Sequence, residues 1–180
     1  AALIGGLLFV KQKGSSSKKL RVYSWSSYFP QEPVERFAKA NGLSVEINYF
    51  SSNEELFAKM VAGASGYDVV LPSDYMVSRM VSRDMLHPLD QAQLPNLHNL
   101  DKESFVAPYD KGLKYSVPFT RGHTGIVVNT DEVKVPAGDV SWSLLLQSPR
   151  PQQTALLDDM REVFAACLFW KGKDPNERNP

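Results

Sequence analysis

The chain of 180 residues is 43% hydrophobic and 22% charged, ordinary globular material with length enough to bury a real core. Its 20 Lys and Arg balance its 20 Asp and Glu, so it lacks the broad positive field of a nucleic-acid-binding protein. Cys167 is the one cysteine, which excludes an intramolecular disulfide framework and a thiolate metal cluster.

In chain order, residues 1–10 form an apolar run well short of the ~20 residues that span a bilayer, but of the length of a secretory h-region. Residues 11–19, rich in Lys, Ser and Gly, read as a solvated linker. Residues 1–19 are therefore expected to be a truncated export signal or membrane tether plus a flexible spacer, with a disordered tail as the alternative. From Leu20 onward short β-prone runs alternate with helical patterns, the signature of βα units around a largely parallel sheet. The first strand is expected at 20–23. A helix follows in which Pro33 occupies the first position, Val34, Phe37, Ala38 and Asn41 share a face, and Gly42 is the stop. A strand at 44–50 places Val45, Ile47 and Tyr49 on one side. Ser52-Asn53-Glu54-Glu55 then has capping-box form and opens a helix carrying Leu56, Phe57, Met60, Val61 and Ala64 inward. Val69 to Leu71 is a third, buried strand, and Ser73 or Asp74 caps a helix to about Arg83.

Prolines 88, 95, 108 and 118 break the periodicity of residues 85–120. A boundary is placed at Gly122, giving a first lobe at 20–121 and a second piece at 122–180. In the latter, strands are expected at 124–129 and 154–157, a short capped helix at 141–146, and a helix from about Asp159 to Lys171 that buries Met160, Val163, Phe164, Cys167 and Leu168 and ends at Gly172.

Ligand crevices in open α/β sheets lie outside the carboxyl ends of the strands. Tyr23-Ser24-Trp25-Ser26-Ser27-Tyr28 follows the first strand, and Pro72-Ser73-Asp74-Tyr75 follows the third, so Trp25, Tyr28 and Tyr75 are offered to one crevice with Ser26 and Ser73 beside them. Asp159 and Glu162 lie three apart in a first helical turn, where the dipole favours their ionised forms. Rings plus carboxylates describe a site for an organic cation, which gains ~0.5–2 kcal/mol per ring. The plainer alternatives are core packing for the tyrosines, helix caps for Ser26 and Ser73, and a capping box for Asp159 and Glu162. Enzyme chemistry finds little support: no nucleophile elbow, phosphate loop or dinucleotide fingerprint occurs, and His87, His98 and His123 are dispersed singles. No catalytic residue, metal site or cofactor is assigned.

At these residues the chain resembles the extracytoplasmic polyamine-binding proteins, the spermidine/putrescine receptors of bacterial ABC importers. The likeness is carried by Tyr23 to Tyr28, Ser52 to Glu55, Tyr67 to Tyr75, Gly125 to Asn129, Ser141-Trp142 and Asp158 to Phe164, in that order, and covers roughly Leu20 to Lys171. The resemblance implies an α/β fold of the periplasmic-binding-protein type (type II), here a first lobe plus an incomplete second lobe, closing by a hinge on its ligand. It implies a monomer, exported to the periplasm, that hands a polyamine to ABC permease subunits in the membrane. Carried over by motif, Trp25 and Tyr28 would stack on the polyamine, Ser26, Ser73 and Tyr75 would contribute from the same lobe, and Asp159 and Glu162 in the other lobe would pair with amino groups. Two residues depart from the family pattern: Ser27 stands where many relatives have an acid, and Arg121 where they often have Trp. The same fold binding another small solute, or a chain that binds nothing, are the alternatives.

Overall fold

In this computed structural model, which describes residues 18–63, 66–135, 138 and 140–177, the chain divides into two compact units between Val117 and Pro118. The expected export signal and most of its spacer lie outside the described residues.

The first unit is built on β1 (Lys18–Trp25), which pairs in parallel with β2 (Leu43–Phe50) along its whole length, Lys18 opposite Leu43 and Trp25 opposite Phe50. On its other side β1 pairs in parallel with β3 (Val69–Val70), giving the order β2-β1-β3. Helices α1 (Gln31–Asn41), α2 (Asn53–Val61) and α3 (Asp74–Val81) each follow a strand, so the three expected βα units are present. The β1 strand begins two residues before the expected Leu20, since Lys18 and Lys19 are in register with Leu43 and Ser44 and Lys19 pairs with Glu46.

Side chains from four elements close the core: Tyr23, Phe50, Leu56, Met76 and Met80. Tyr23 is its centre, stacked on Tyr67 at 4.6 Å between centroids and meeting the edge of Phe50 at 5.0 Å. The Lys59 ammonium lies 4.5 Å above the Tyr23 ring, and the Arg79 guanidinium 4.4 Å from Phe57, joining α3 to α2.

Several expected details differ. Helix α1 starts at Gln31, so Pro33 is its third residue rather than its first, a place where the missing N–H still has no intrahelical partner to lose. The left-handed Gly42 (φ 61°) ends it as expected. None of its side chains is buried, and Phe37 is 49% exposed. In β2 the buried residue is Phe50, while Tyr49 on the opposite face is exposed. In α2, Leu56 is buried, but Val61 is exposed and Ala64 lies outside the described residues.

Residues 85–117 are irregular, as the prolines require, and contain short 3-10 turns at Gln91–Gln93, Pro95–Asn99 and Lys102–Val106. They are pinned by Asp110, only 6% exposed, whose carboxylate accepts from the backbone N–H groups of Lys114, Tyr115 and Ser116 and from the Ser116 hydroxyl.

The second unit contains α4 (Ser143–Leu146) and α5 (Met160–Trp170), with a 3-10 turn at Pro151–Gln153. Neither strand expected at 124–129 and 154–157 forms: both segments lack a ladder among the described residues, and Val127 is 98% exposed. Apolar β-branched composition is only half of what a strand needs, the other half being a neighbour that takes its hydrogen bonds. Helix α5 likewise ends at the left-handed Gly172, but buries Ala166 rather than the expected Met160, Val163, Phe164, Cys167 and Leu168; Met160 and Phe164 are exposed.

Replacing Asp110 by Ala removes the acceptor of three backbone N–H groups, two of them on half-buried residues. We expect a loss of about 2–3 kcal/mol in urea unfolding, the scale of charge-assisted bonds at a buried site, with Asp110→Asn losing less.

Candidate functional site

Connections in the first unit run from β1 to one side and then back across it, β2 on one edge and β3 on the other. In sheets of this kind the crevice opens at the switch between the two directions, outside the carboxyl ends of the central strand and the neighbour reached by the return crossing. Here those strands are β1 and β3, held at this end by the Leu71 N–H donating 3.0 Å to the Tyr23 carbonyl. The loop after β1 carries Trp25, Ser26 and Tyr28. The loop after β3 carries Ser73 and leads to Tyr75.

Trp25 is the last residue of β1, half-buried, with its indole 4.5 Å from the Phe50 ring at 62°. The fully buried Ser24 donates to the Trp25 carbonyl at 3.0 Å. Beyond it the chain turns through Ser26 and Ser27, and Ser27 takes the left-handed conformation, φ 64°, that favours glycine. The turn leaves Ser26 exposed and Tyr28 37% exposed. Ser26 does not cap α1, whose capping position is Pro30.

Ser73 stands at the capping position of α3, yet its hydroxyl does not cap the helix. It accepts instead from the Asn53 amide at 3.0 Å, while the Ser73 N–H donates to the Asn53 carbonyl oxygen at 2.9 Å. The Tyr75 hydroxyl donates to Glu54 at 3.2 Å, and the Tyr75 N–H donates to Asp74 at 2.6 Å. Ser73 and Tyr75 are thus both tied to the first two residues of α2. The α2 N-terminus is itself fixed by half of the expected capping box: Ser52 accepts from the Glu55 N–H at 3.1 Å. The Glu55 carboxylate returns not to Ser52 but to the N–H and hydroxyl of Ser51, at 2.8 and 2.7 Å, and it accepts from the Tyr23 hydroxyl at 3.4 Å. The Ser51 N–H and hydroxyl hold the Glu55 carboxyl below its ordinary range. Burial raises the Tyr23 phenol above its ordinary range, and the Glu55 charge adds to the effect.

The sequence reading missed Asn53 and Glu54. A usable signal was present, since the Ser52–Glu55 capping pattern puts Asn53 at the first helical position, where a short amide has no helical role of its own.

In the second unit Asp159 caps α5, accepting from the Glu162 N–H at 3.1 Å. The expected reciprocal bond of a capping box is absent from the described contacts: Glu162 accepts from the Thr124 hydroxyl at 2.6 Å. Asp159 and Glu162 are both half-buried, and Asp158 is exposed.

Parallel strands each followed by a helix make the first unit an α/β fold. The chain belongs to the bacterial extracellular solute-binding protein family, whose model matches residues 32–180. It is 39% identical over 174 residues to a spermidine/putrescine-binding periplasmic protein of Haemophilus influenzae, covering 94% of this chain and 48% of that one. It is 35% identical over 190 residues to a putrescine-binding periplasmic protein of Escherichia coli, covering 98% and 51%. Among solved structures it is similar to the TpPotD lipoprotein of Treponema pallidum, with 34% identity, a TM-score of 0.81, and 90% of this chain and 50% of that chain covered. The chain spans about half the length of the curated relatives it matches. These relatives are named as binding proteins, not enzymes.

Ser27→Gly relieves the left-handed strain and is expected to stabilise the protein by a few tenths to about 1 kcal/mol, whereas Ser27→Val should destabilise it by about 1–2 kcal/mol in the same unfolding assay. A second expectation concerns acid. Since the folded Glu55 carboxyl lies below its ordinary value of 4.5, its contribution to stability is full above that pH and lost as pH falls through the folded value. Thermal melts of Glu55→Gln should therefore depend less on pH below 4.5 than those of the parent.

Proposed function

We propose that this protein is an extracytoplasmic receptor for polyamines such as spermidine and putrescine, delivering them to the permease subunits of an ABC importer. What supports the reading is that Trp25, Ser26, Tyr28 and Ser73 lie on the loops that follow β1 and β3, with Tyr75 in the first turn of α3. Relatives named as spermidine/putrescine-binding and putrescine-binding periplasmic proteins support the choice of ligand. Indole and phenol faces attract ammonium groups and also pack along the methylenes between them. Asp159 and Glu162 are proposed as the anionic partners of the amino groups. Each keeps acceptor capacity beyond the single bond to the Glu162 N–H or the Thr124 hydroxyl, because a carboxylate offers about four lone-pair sites.

Function in this reading is capture, by a monomer in the periplasm, tethered through residues 1–19 where these are retained. Lobes divided near Gly122 would close on the ligand, expel water and so strengthen each charge contact. Energy and translocation belong to the permease partners.

Isothermal titration with spermidine, putrescine and a neutral diol of similar length tests the proposal. Both amines should bind and the diol should not. Trp25→Ala should cost ~1–2 kcal/mol, about tenfold in affinity, and Asp159→Asn should weaken binding further. Equal binding of diol and diamine would end the cation-receptor reading.

A further inference from the structure

Asn53 is 1% exposed, so both polar ends of its side chain must be satisfied inside the protein. Both go to one residue on a different loop. An N–H can only donate, so the Ser73 backbone N–H at 2.9 Å fixes the facing Asn53 atom as the carbonyl oxygen. The Asn53 NH2 then faces the Ser73 hydroxyl oxygen at 3.0 Å, and that oxygen must accept. The amide orientation is thus dictated by its partner. It has a chemical consequence, because a hydroxyl that accepts from Asn53 cannot also give its proton to Asn53. The proton and one remaining lone pair of Ser73 are turned away from the core. Glu54, the next residue, holds the Tyr75 hydroxyl at 3.2 Å, so the same turn of α2 reaches both candidate ligand residues at the start of α3.

We infer that Asn53 is a positioning residue of the binding site: it fixes the place of Ser73 and decides which hydrogen-bonding groups the Ser73 hydroxyl offers to the ligand. The inference rests on the reading of Ser73 as a ligand contact. An ammonium group has only N–H donors, so it uses the one lone pair that Asn53 leaves free. An Asp at this position accepts from both Ser73 groups, which turns the hydroxyl proton inward and presents both lone pairs to the ligand.

The test uses the 180-residue chain with the variants Asn53→Ala, Asn53→Asp, Ser73→Ala and the double variant Asn53→Ala/Ser73→Ala, followed by amide-proton NMR and by spermidine titration. With Asn53→Ala the Ser73 amide proton should move upfield toward its position in a free chain, and spermidine affinity should fall about tenfold. The double variant should be no weaker than Ser73→Ala, since Asn53 acts through Ser73. Asn53→Asp should keep the Ser73 amide proton downfield and bind spermidine at least as tightly as the parent, a rescue that a merely structural Asn53 would not allow. Additive losses in the double variant, or an Asn53→Asp protein that loses affinity while keeping the parent's melting temperature, would overturn the inference. Should the parent bind no polyamine, the functional reading fails, and the Ser73 amide shift in Asn53→Asp and Asn53→Ala decides the positioning role by itself: an unmoved resonance in both refutes it.

Discussion

The parallel pairing of β1 on both of its edges is the constraint on which the rest of the first unit depends. Register follows from it, and because side chains alternate, a slip of one residue would turn Tyr23 out and Ser24 toward the core side chains. In the observed register Tyr23 is sealed at the centre, where its phenol finds the Glu55 carboxylate, the Tyr67 ring and the Lys59 ammonium. The Lys59 ammonium is in turn held above its ordinary range, chiefly by its bond to the Tyr67 hydroxyl. One buried aromatic residue thereby links β1, α2 and the segment entering β3. Two residues further along, the same alternation delivers Trp25 to the carboxyl end of β1 on the same side as Tyr23, against Phe50.

Site and core are consequently not separate designs. The α2 N-terminus sits where the three strand ends meet and serves both, with Leu56 in the core, Asn53 and Glu54 on the Ser73–Tyr75 loop, and Glu55 back on Ser51 and Tyr23. Left-handed strain falls at Ser27, at the turn between Trp25 and Tyr28, as well as at Asp84 and Leu113 elsewhere in the unit. Left-handed backbone at a non-glycine residue persists where surrounding structure over-determines it, and it is concentrated at sites that must hold side chains in set directions.

Local rules made many element ends legible in both units. Gly42 and Gly172 stop their helices in the left-handed conformation, Ser52 and Asp159 cap theirs, and the apolar runs at 20–23 and 69–71 fall within or across the paired strands. Rules of this kind depend on a few adjacent residues. What they could not reach was decided at a distance. Composition at 124–129 is as strand-like as at 44–50, but only the latter has β1 beside it. Helical periodicity grouped Met160, Val163, Phe164, Cys167 and Leu168 as a buried face of α5, but Met160, Phe164 and Leu168 are exposed, because periodicity names a face without supplying the surface that buries it. Asn53 and Glu54 escaped for the same reason, since their partners lie about twenty residues away along the chain.

The edge-on contact of Trp25 with Phe50 gives the protein an internal optical gauge. Its indole is half-buried at the end of β1, with the Phe50 ring packed against it. Of the chain's three tryptophans, the other two, Trp142 and Trp170, belong to the second unit, and Trp170 lies under the Lys171 ammonium at 4.1 Å. Emission from a chain in which those two are replaced by phenylalanine would therefore come from the end of β1 alone. Its colour would follow the polarity of its surroundings, turning the residue that closes the central strand into a reporter of solvent at the same spot.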